Sequence, residues 1–463
     1  MEKTREKITD MTRGSAVKLI LTFAIPLFIG GVFQQVYSIV DTMVAGYCLG
    51  DQAIAAIGAT SSLYGLVIDF AWGLNSGFAV IVTQAFGSHD IGKLRRSIGG
   101  MIVLDMGITA LLTVLALAVL APLMRLMNTP ESIFGEAYRY MAVIFAGMLA
   151  TIGYNMFAGI LRAFGNSKTP LYFLIFSSLL NVALDLLFVA VFRWGVGGTA
   201  LATVVSEGLS AVLTGLYVWR HYRAYLPRLA DFKLDWPLAK ELLSMGSAMG
   251  FMYSVVSLGS VVFQGAANAL GETIIAAHTA SRRIINILMS PMSTITDAAV
   301  TFVAQNWGAR KKRRIREAMR KVLAMEMGWG LFACALVYLA GEWIIRLTTG
   351  TQSPQILDNA VLSMRIHFPF FPVLGVLLCL RECMESMGQK IAPVVASIIE
   401  LGMKALSAVW LIPHFGYLGV CITEPVTWAI MTAFLLVVYG LRTKKMLEEK
   451  APLPASAMDA VGR

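Results

Sequence analysis

The stretch "LILTFAIPLFIGGVFQQVYSIVDTMVAG", residues 19–46, decides the fold class. No Lys, Arg, Glu or Asp interrupts it between positions 19 and 40, and about 20 apolar residues suffice for an α-helix to cross a hydrocarbon core of about 30 Å. Near its end the run reaches one carboxylate, Asp41. An acidic side chain inside a membrane-spanning helix is costly and is a functional candidate by default.

The composition places the whole chain in the same class. Its 463 residues are 57% hydrophobic and only 14% charged, which is too apolar for the surface of a soluble protein. The net charge of +10 lies in short basic clusters between apolar runs, so it indicates membrane topology, and we expect no nucleic-acid partner. The five cysteines are scattered, so we predict no disulfide, no metal site and no cofactor.

Twelve apolar stretches predict twelve transmembrane helices, called spans 1 to 12 below. Turn signals such as "GNSKTP" at 165–170 separate them. The predicted spans cover residues 16–46, 53–82, 97–123, 137–161, 169–192, 196–219, 239–269, 273–304, 316–345, 355–380, 391–412 and 417–441.

The basic residues predict the orientation of these spans. With the N-terminus in the cytoplasm, the outer loops carry only Arg125, Arg193 and Arg346. The inner segments carry most of the other Lys and Arg residues, including the cluster "RKKRRIREAMRK" at 310–321. The positive-inside rule therefore predicts a multi-pass protein of the cell (plasma) membrane with both termini cytoplasmic.

An internal repeat divides the chain into two halves. The segment "LGDQAIAAIGAT" at 49–60 corresponds to "LGETIIAAHTAS" at 270–281, and in the same frame "VTQAFG" at 82–87 corresponds to "VAQNWG" at 303–308. A repeat of six spans is even, so we expect an all-α integral membrane protein with two six-helix parallel-repeat lobes. The predicted parts are a cytoplasmic N-terminus at 1–15, an N-terminal lobe at 16–219, a cytoplasmic linker at 220–238, a C-terminal lobe at 239–443 and a cytoplasmic tail at 444–463.

Four polar residues fall at one depth in the N-terminal lobe. Asp41 lies near the outer end of span 1, Asn181 and Asp185 are one turn apart on span 5, and Thr203 is about seven residues into span 6. Two carboxylates close together cannot both stay charged at low cost, so the pair should share a proton or a cation such as Na⁺. The alternative is that both Asp residues cap helices or form hydrogen bonds in a static core.

Other residues of the spans are candidates for a hinge or for the lining of the central cavity. Pro26, Gly30 and Gly31 weaken the helix of span 1 and favour a bend there, the alternative being a fixed kink that improves packing. We interpret Arg282 and Arg283 as side chains that reach the outer interface. The candidates for lining the cavity are Gln34, Tyr37, Glu207, Asp297, Glu326, Glu400 and Glu424.

The chain resembles the multidrug and toxic compound extrusion (MATE) family. The resemblance rests on "QQVYSIVDTMVAG" in span 1, "GILRAFGNSKTP" before span 5, "LNVALDLLF" in span 5, "GTALATVVSE" in span 6 and "AQNWGARKKRRI" after span 8. It implies alternating access by a cation-coupled (H⁺ or Na⁺) multidrug antiporter that exports amphipathic, often cationic compounds. Small drug-like molecules and membrane lipid are the implied partners, and a two-lobed cavity needs no second chain, so we expect a monomer.

Within that family the chain is similar to the DinF-like bacterial branch, whose coupling site lies in the N-terminal lobe. That site falls on Asp41, Asn181, Asp185 and Thr203 of this sequence. Another branch also uses acidic residues in helices 7 and 10. Here helix 7, "MGSAMGFMYSVVSLGSVVFQGAANAL", contains none, and helix 10, "NAVLSMRIHFPFFPVLGVLLCL", has only Asp358 at its outer rim. We therefore expect no coupling-ion site in the second lobe.

Two other functions compete with this interpretation. A flippase for a lipid-linked precursor would need a cavity rich in Arg and Lys, and the span interiors offer only Arg139, Arg365 and Lys404. A membrane-embedded enzyme would need a catalytic motif such as HExxH, and the sequence has none. We therefore predict a transporter and not an enzyme.

Overall fold

The structure is a computed structural model that describes residues 8–233, 235–351 and 353–448. The first seven residues of the predicted N-terminal segment, and the predicted tail from residue 449 onward, lie outside the described residues. Within the described ranges nearly every residue is helical and no β-strand occurs, as expected for an all-α membrane protein.

The first six spans follow the predicted apolar runs. Span 4 is broken at Gly147 into two helices that meet at 43°, and span 5 changes from an α-helix to a π-helix before its end. The observed bounds are Ala16–Leu49 (span 1), Asp51–Gly87 (span 2), Ile91–Leu126 (span 3), Glu131–Ala146 with Met148–Ala163 (span 4), Lys168–Asp185 with Leu186–Val191 (span 5) and Val196–His221 (span 6).

The second six spans repeat this arrangement after a short 3₁₀-helix, Leu229–Phe232. Eleven of the described helical segments are long and apolar enough to cross a membrane, and the bent pair of span 4 makes a twelfth. The bounds are Trp236–Asn268 (span 7), Glu272–Gly308 (span 8), Lys312–Thr349 (span 9), Pro354–His367, Phe368–Phe370 and Phe371–Ser386 (span 10), Ile391–Leu406, Ser407–Leu411 and Ile412–Phe415 (span 11) and Tyr417–Val438, Tyr439–Thr443 and Lys444–Glu448 (span 12).

The backbone carries the repeat that the sequence predicts. Gly50 and Gly271, which precede spans 2 and 8, have φ angles of 82° and 98°. His89 and Arg310, which follow the same two spans, have φ angles of 58° and 56°. Left-handed backbone is uncommon for residues other than Gly, so its recurrence at equivalent positions shows that the two halves share one chain path.

Buried side chains repeat in the same way. Asn75 Nδ2 of span 2 donates to Asp105 Oδ2 of span 3 at 2.5 Å, and at the equivalent positions Thr296 Oγ1 of span 8 donates to Glu326 Oε1 of span 9 at 3.2 Å. Both carboxyl groups are fully buried. These acidic residues therefore join neighbouring helices inside each half, and the prediction that Glu326 lines the central cavity is wrong.

The two halves exchange one helix end at the predicted cytoplasmic side. Ile20 and Phe23 of span 1 pack into the hydrophobic core of the second half, whereas Leu242 and Met245 of span 7 pack into the core of the first half. Spans 1 and 7 are equivalent in the repeat, so the exchange is symmetric. It holds the lobes together at the end that carries the loop between spans 2 and 3 and the loop between spans 8 and 9.

The segment before span 1 also joins the halves at this end. The Thr9 backbone N–H donates to the Phe164 carbonyl of the first half at 3.1 Å, and the Met11 backbone N–H donates to Gln305 Oε1 of the second half at 2.9 Å. The Met11 side chain is fully buried. The segment therefore crosses the junction of the two lobes and packs into it.

Candidate functional site

Spans 5 and 6 hold three of the four residues predicted for the ion site. We assign the Asn181 amide so that its nitrogen donates to Asp185 Oδ2 at 3.3 Å, since the opposite orientation faces like groups. The Asn181 oxygen then accepts from the backbone N–H and the hydroxyl of Thr203, both at 3.2 Å. Asn181 thus links the carboxyl group on span 5 to the hydroxyl on span 6.

Span 1 brings the fourth residue to the same place. The carboxyl groups of Asp41 and Asp185 lie within hydrogen-bonding reach of each other. Asp185 is completely buried, Asn181 is 1% exposed, and Asp41 is half-buried. The structure therefore brings together all four predicted residues, from three helices.

In the carboxyl pair, both groups are acidic, and within the described part of the chain one oxygen of each group lacks a hydrogen-bond partner. The Oδ1 atoms of Asp41 and Asp185 are enclosed and have no hydrogen-bond partner among the described residues. Among the described residues, the charged group that acts electrostatically on Asp185 is Asp41. A buried pair of like charges is unfavourable unless a proton or a cation joins it. The set of carboxylate, amide and hydroxyl oxygens is suited to either.

The backbone changes directly after this pair. The α-helix of span 5 ends at Asp185, and the π-helix Leu186–Val191 follows. Single turns of π-helix inside longer helices are rare and often mark functional sites. The wider turn lies on the outer side of Asp185 in the predicted orientation, between the carboxyl pair and the start of span 6.

Tyrosines from three spans lie within electrostatic range of a further acidic residue, Glu207. Tyr37 of span 1 lies within electrostatic range of Asp41, Glu207, Tyr64 and Tyr140. Glu207 of span 6 accepts a short hydrogen bond from the Thr151 hydroxyl of span 4. Tyr37 and Glu207 are among the predicted cavity residues.

Sequence reasoning missed Tyr64 and Tyr140, because it ranked charged side chains first. Both lie within electrostatic range of Glu207, Tyr64 from span 2 and Tyr140 from span 4. The signal that identifies them is a tyrosine within a span, since a buried hydroxyl needs a polar partner.

The remaining predicted residues of span 1 differ in their surroundings. Gln34 is exposed, whereas Pro26 and Gly30 are buried. A Cβ atom at Gly30 would meet Leu174 Cδ2 of span 5 at 3.3 Å, and one at Gly31 would have nothing within 4 Å. The helix runs without interruption from Ala16 to Leu49. A hinge at these residues stays a prediction.

In the second lobe the predicted cavity residues are engaged in ion pairs. Lys404 Nζ donates to Glu400 Oε1 at 2.8 Å. Arg282 Nη1 donates to Glu424 Oε2 at 2.5 Å, so the interpretation of Arg282 as a side chain that reaches the outer interface is wrong. A buried acidic residue on span 12 draws the guanidinium inward, because it would otherwise be an unpaired charge.

The prediction that helix 10 has no acidic residue other than Asp358 is also wrong. The span continues to Ser386 and includes Glu382 and Glu385. Glu385 is 1% exposed, and its Oε1 lies 3.5 Å from Arg381 Nε. The apolar run ends at residue 380, but the helix continues because the three charged residues pack inside the protein. Asp297 of span 8 lies within electrostatic range of Glu382 and of Arg162 from the first lobe.

In the ranges that the structure describes, no group of three or more His, Cys, Asp or Glu side chains is arranged to hold a metal ion. The fold is that of a membrane-spanning protein of two repeated lobes, with the carboxyl pair enclosed in the first lobe. The sequence model of the MatE family matches residues 26–187 and 248–410. The chain therefore belongs to the MatE family of efflux transporters, and it is not an enzyme.

Relatives and solved structures agree with this assignment. The chain is 27% identical to the probable multidrug resistance protein YpnP of Bacillus subtilis (strain 168) over 96% of this chain and 100% of that one. It is 25% identical to the probable multidrug resistance protein YoeA of the same organism, over 95% and 96%. A structure described as "Crystal structure of MATE in the bent conformation" has the same fold, with a TM-score of 0.86, 20% identity and coverage of 95% of this chain and 98% of that one.

Proposed function

We propose that this chain exports amphipathic, often cationic compounds in exchange for H⁺ or Na⁺. The single observation that carries the proposal is the contact between Asp41 and Asp185, whose enclosed Oδ1 atoms have no partner in the described part of the chain. The names of the YpnP and YoeA relatives support multidrug export. No resident cofactor takes part in this mechanism.

Ion uptake drives export only if it changes the relative affinity of the two lobe arrangements for the drug. Asp41 and Tyr37 are one turn apart on span 1 and therefore share a helix face. A cation that joins Asp41 to Asp185 would draw this part of span 1 toward span 5. The same movement displaces Tyr37 from the drug cavity and favours release.

The proposed drug site lies between Glu207 and its tyrosines. An aromatic face attracts a cation, and a carboxylate adds charge complementarity. Tyr37, Tyr64 and Tyr140 provide flat apolar surfaces for the rest of the drug. An amphipathic cation such as ethidium combines the two features that this cavity recognises.

The flippase alternative is weaker, because a pyrophosphate needs unpaired cationic side chains. Lys404 and Arg282 are instead bound to Glu400 and Glu424.

The positive-inside pattern supports cytoplasmic termini. The repeat places both lobes in one chain, which supports function as a monomer.

The test is ethidium uptake into everted membrane vesicles, in which export from the cytoplasmic face becomes movement into the lumen, energised first by a proton gradient and then by a sodium gradient. We expect one of the two gradients to drive this uptake. Asp41→Asn should abolish gradient-driven export while the protein still folds and inserts. Glu342→Gln is the matched control, since Glu342 is exposed and, among the described residues, pairs only with Arg346 one turn away.

If everted Asp41→Asn vesicles accumulate ethidium against its gradient at the wild-type rate, the assignment of the ion site is wrong. If neither gradient drives wild-type efflux of ethidium or of a panel of other amphipathic cations, the proposed cation-coupled drug export is wrong.

A further inference from the structure

The second lobe contains a cluster of ionisable side chains at the position that the ion site occupies in the first lobe, and the two places are called the first and the second pocket below. Spans 5 and 11 each begin just after a glycine with left-handed backbone, Gly165 at φ 74° and Gly388 at φ 80°. Counted from these glycines, Lys404 of span 11 takes the place of Asn181 in span 5.

Spans 6 and 12 correspond in the same way. Gly195 and Gly416 precede them with φ angles of 68° and 55°, and Glu424 of span 12 takes the place of Thr203 in span 6. A neutral amide and a neutral hydroxyl of the first lobe are thus replaced in the second lobe by an ammonium and a carboxylate.

The backbone around the two pockets is also the same. A π-helix follows the regular helix at Leu186–Val191 in span 5 and at Ser407–Leu411 in span 11. Counted from the same two glycines, the segment in span 11 begins two residues earlier than the one in span 5, and the two segments overlap. Since π-helical turns are rare, their recurrence indicates that both pockets are built on one backbone design and differ in their side chains.

The second pocket is filled by its own cations. Lys404 Nζ contacts Glu400 Oε1 at 2.8 Å and Ser260 Oγ of span 7 at 3.0 Å. Glu424 Oε2 contacts Arg282 at 2.5 Å and His367 Nε2 at 3.5 Å. The side chains of Lys404 and Glu400 are 7% and 15% exposed, so this pair is largely shielded from solvent. Glu424 is 10% exposed, and its partner Arg282 is 35% exposed.

The charges that face the two acidic residues come from three helices. Glu424 is faced by Arg282 and His278 of span 8, His367 of span 10 and Lys404 of span 11. Glu400 is faced by Lys404 and, from span 10, by Arg381. Span 7 contributes the uncharged Ser260.

The two pockets therefore differ in charge balance. The second contains both acidic residues and cations of the chain itself, whereas the first contains two carboxyl groups and no cation of the described residues that acts on Asp185. We infer that Lys404 is a tethered substitute for the coupling cation, so that the second lobe takes up no mobile ion and only the first lobe senses the gradient. This inference rests on the proposed ion site at Asp41 and Asp185.

Infrared difference spectroscopy of the purified full-length protein during a pH titration tests this inference, because it detects protonated carboxylic acids without requiring transport. Lys404→Gln should free Glu400 and add a C=O stretching band of a protonated acid that titrates with pH. The band should be absent in the wild type, in Lys404→Arg, which keeps the charge, and in the neutral double variant Glu400→Gln/Lys404→Gln.

A folded Lys404→Gln protein without a new band would overturn the inference. If Lys404→Gln does not fold, the spectrum of Glu400→Gln alone tests whether Glu400 is permanently paired. Identical acid bands in Glu400→Gln and the wild type support a permanently paired Glu400, and a lost band contradicts it. Asp41→Asn reports separately on the first lobe. If the Asp41→Asn spectrum keeps every acid band and every cation-induced spectral change of the wild type, the proposed ion site is wrong, whatever the result at Lys404.

Discussion

Gln84 of span 2 and Gln305 of span 8 occupy equivalent positions of the repeat, and each donates its side-chain amide to the opposite half. Gln84 Nε2 donates to the Ser386 carbonyl and Gln305 Nε2 to the Ala163 carbonyl, both at 2.8 Å. The two hydrogen bonds form a symmetric contact at the end where spans 1 and 7 exchange. This contact closes the predicted cytoplasmic end, so opening there must break it.

Gly87 and Gly308, one turn beyond these glutamines, allow the two halves to approach. A Cβ atom at Gly87 would overlap the backbone carbonyl oxygen of Gln305, and one at Gly308 would overlap that of Gln84. Backbone cannot rotate away as a side chain does, so we expect Gly87→Ala or Gly308→Ala to separate the lobes at this end. Electron paramagnetic resonance distances between spin labels on the 2–3 loop and the 8–9 loop should lengthen.

The matched control for these variants is Gly107→Ala, since a Cβ atom at Gly107 of span 3 has no neighbour within 4 Å. It should leave the distance between the loops unchanged. Unchanged distances in both Gly87→Ala and Gly308→Ala would show that this contact does not determine closure.

Thr203 tests the ion site without removing a carboxyl group. Its hydroxyl and backbone N–H both bind the Asn181 oxygen, so Thr203→Ala removes one neutral hydrogen bond, which is a change of about 1 kcal/mol. We expect the concentration of the coupling cation that gives half-maximal efflux to rise about fivefold, since 1.4 kcal/mol corresponds to about tenfold. Thr203→Ser keeps the hydroxyl and should retain wild-type behaviour. An unaltered cation dependence in Thr203→Ala would separate Thr203 from the ion site.

Gly30 and Gly31 distinguish a hinge in span 1 from a close helix contact. A Cβ atom at Gly30 would press against Leu174, whereas Gly31 faces open space. Replacing a helical Gly by Ala favours the helix by about 0.5–1 kcal/mol. If the pair forms a hinge, Gly31→Ala should raise the melting temperature and yet slow ethidium efflux several-fold, because the stiffer helix resists bending.

If Gly30 serves only for packing, Gly30→Ala alone would slow efflux and Gly31→Ala would transport at the wild-type rate. Measuring the melting temperature and the efflux rate of both variants separates these cases, since a stiffer hinge and a steric clash change the melting temperature in opposite directions.

The sequence predicted the helices better than the contacts between them. A carboxylate within an apolar run costs free energy in the membrane and therefore marks a candidate site, and the depth of that carboxylate follows from the rise per residue of the helix. The meeting of Asp41 with Asp185 was therefore predictable. The pairing of Arg282 with Glu424 was not, because hydropathy does not indicate which face of a helix packs against which neighbour. The predicted end of span 10 at residue 380 is too early for a related reason. Arg381 and Glu385 are charged, so hydropathy excludes them, but both side chains are largely buried by packing in the observed helix.

The segment before span 1 gives the last prediction. The Met11 carbonyl accepts hydrogen bonds from Asn306 Nδ2 and Arg314 Nη2, both at 3.1 Å, and its side chain is fully buried in the core of the second half. Met11→Ala should cost about 2–5 kcal/mol of stability through the cavity left behind. It should also lengthen the loop-to-loop distance, since the segment joins both halves. Arg13→Ala is the control, because the Arg13 side chain is 84% exposed. A melting temperature that falls equally in both variants, or a Met11→Ala protein that is less stable but equally closed, would show that the segment does not join the lobes.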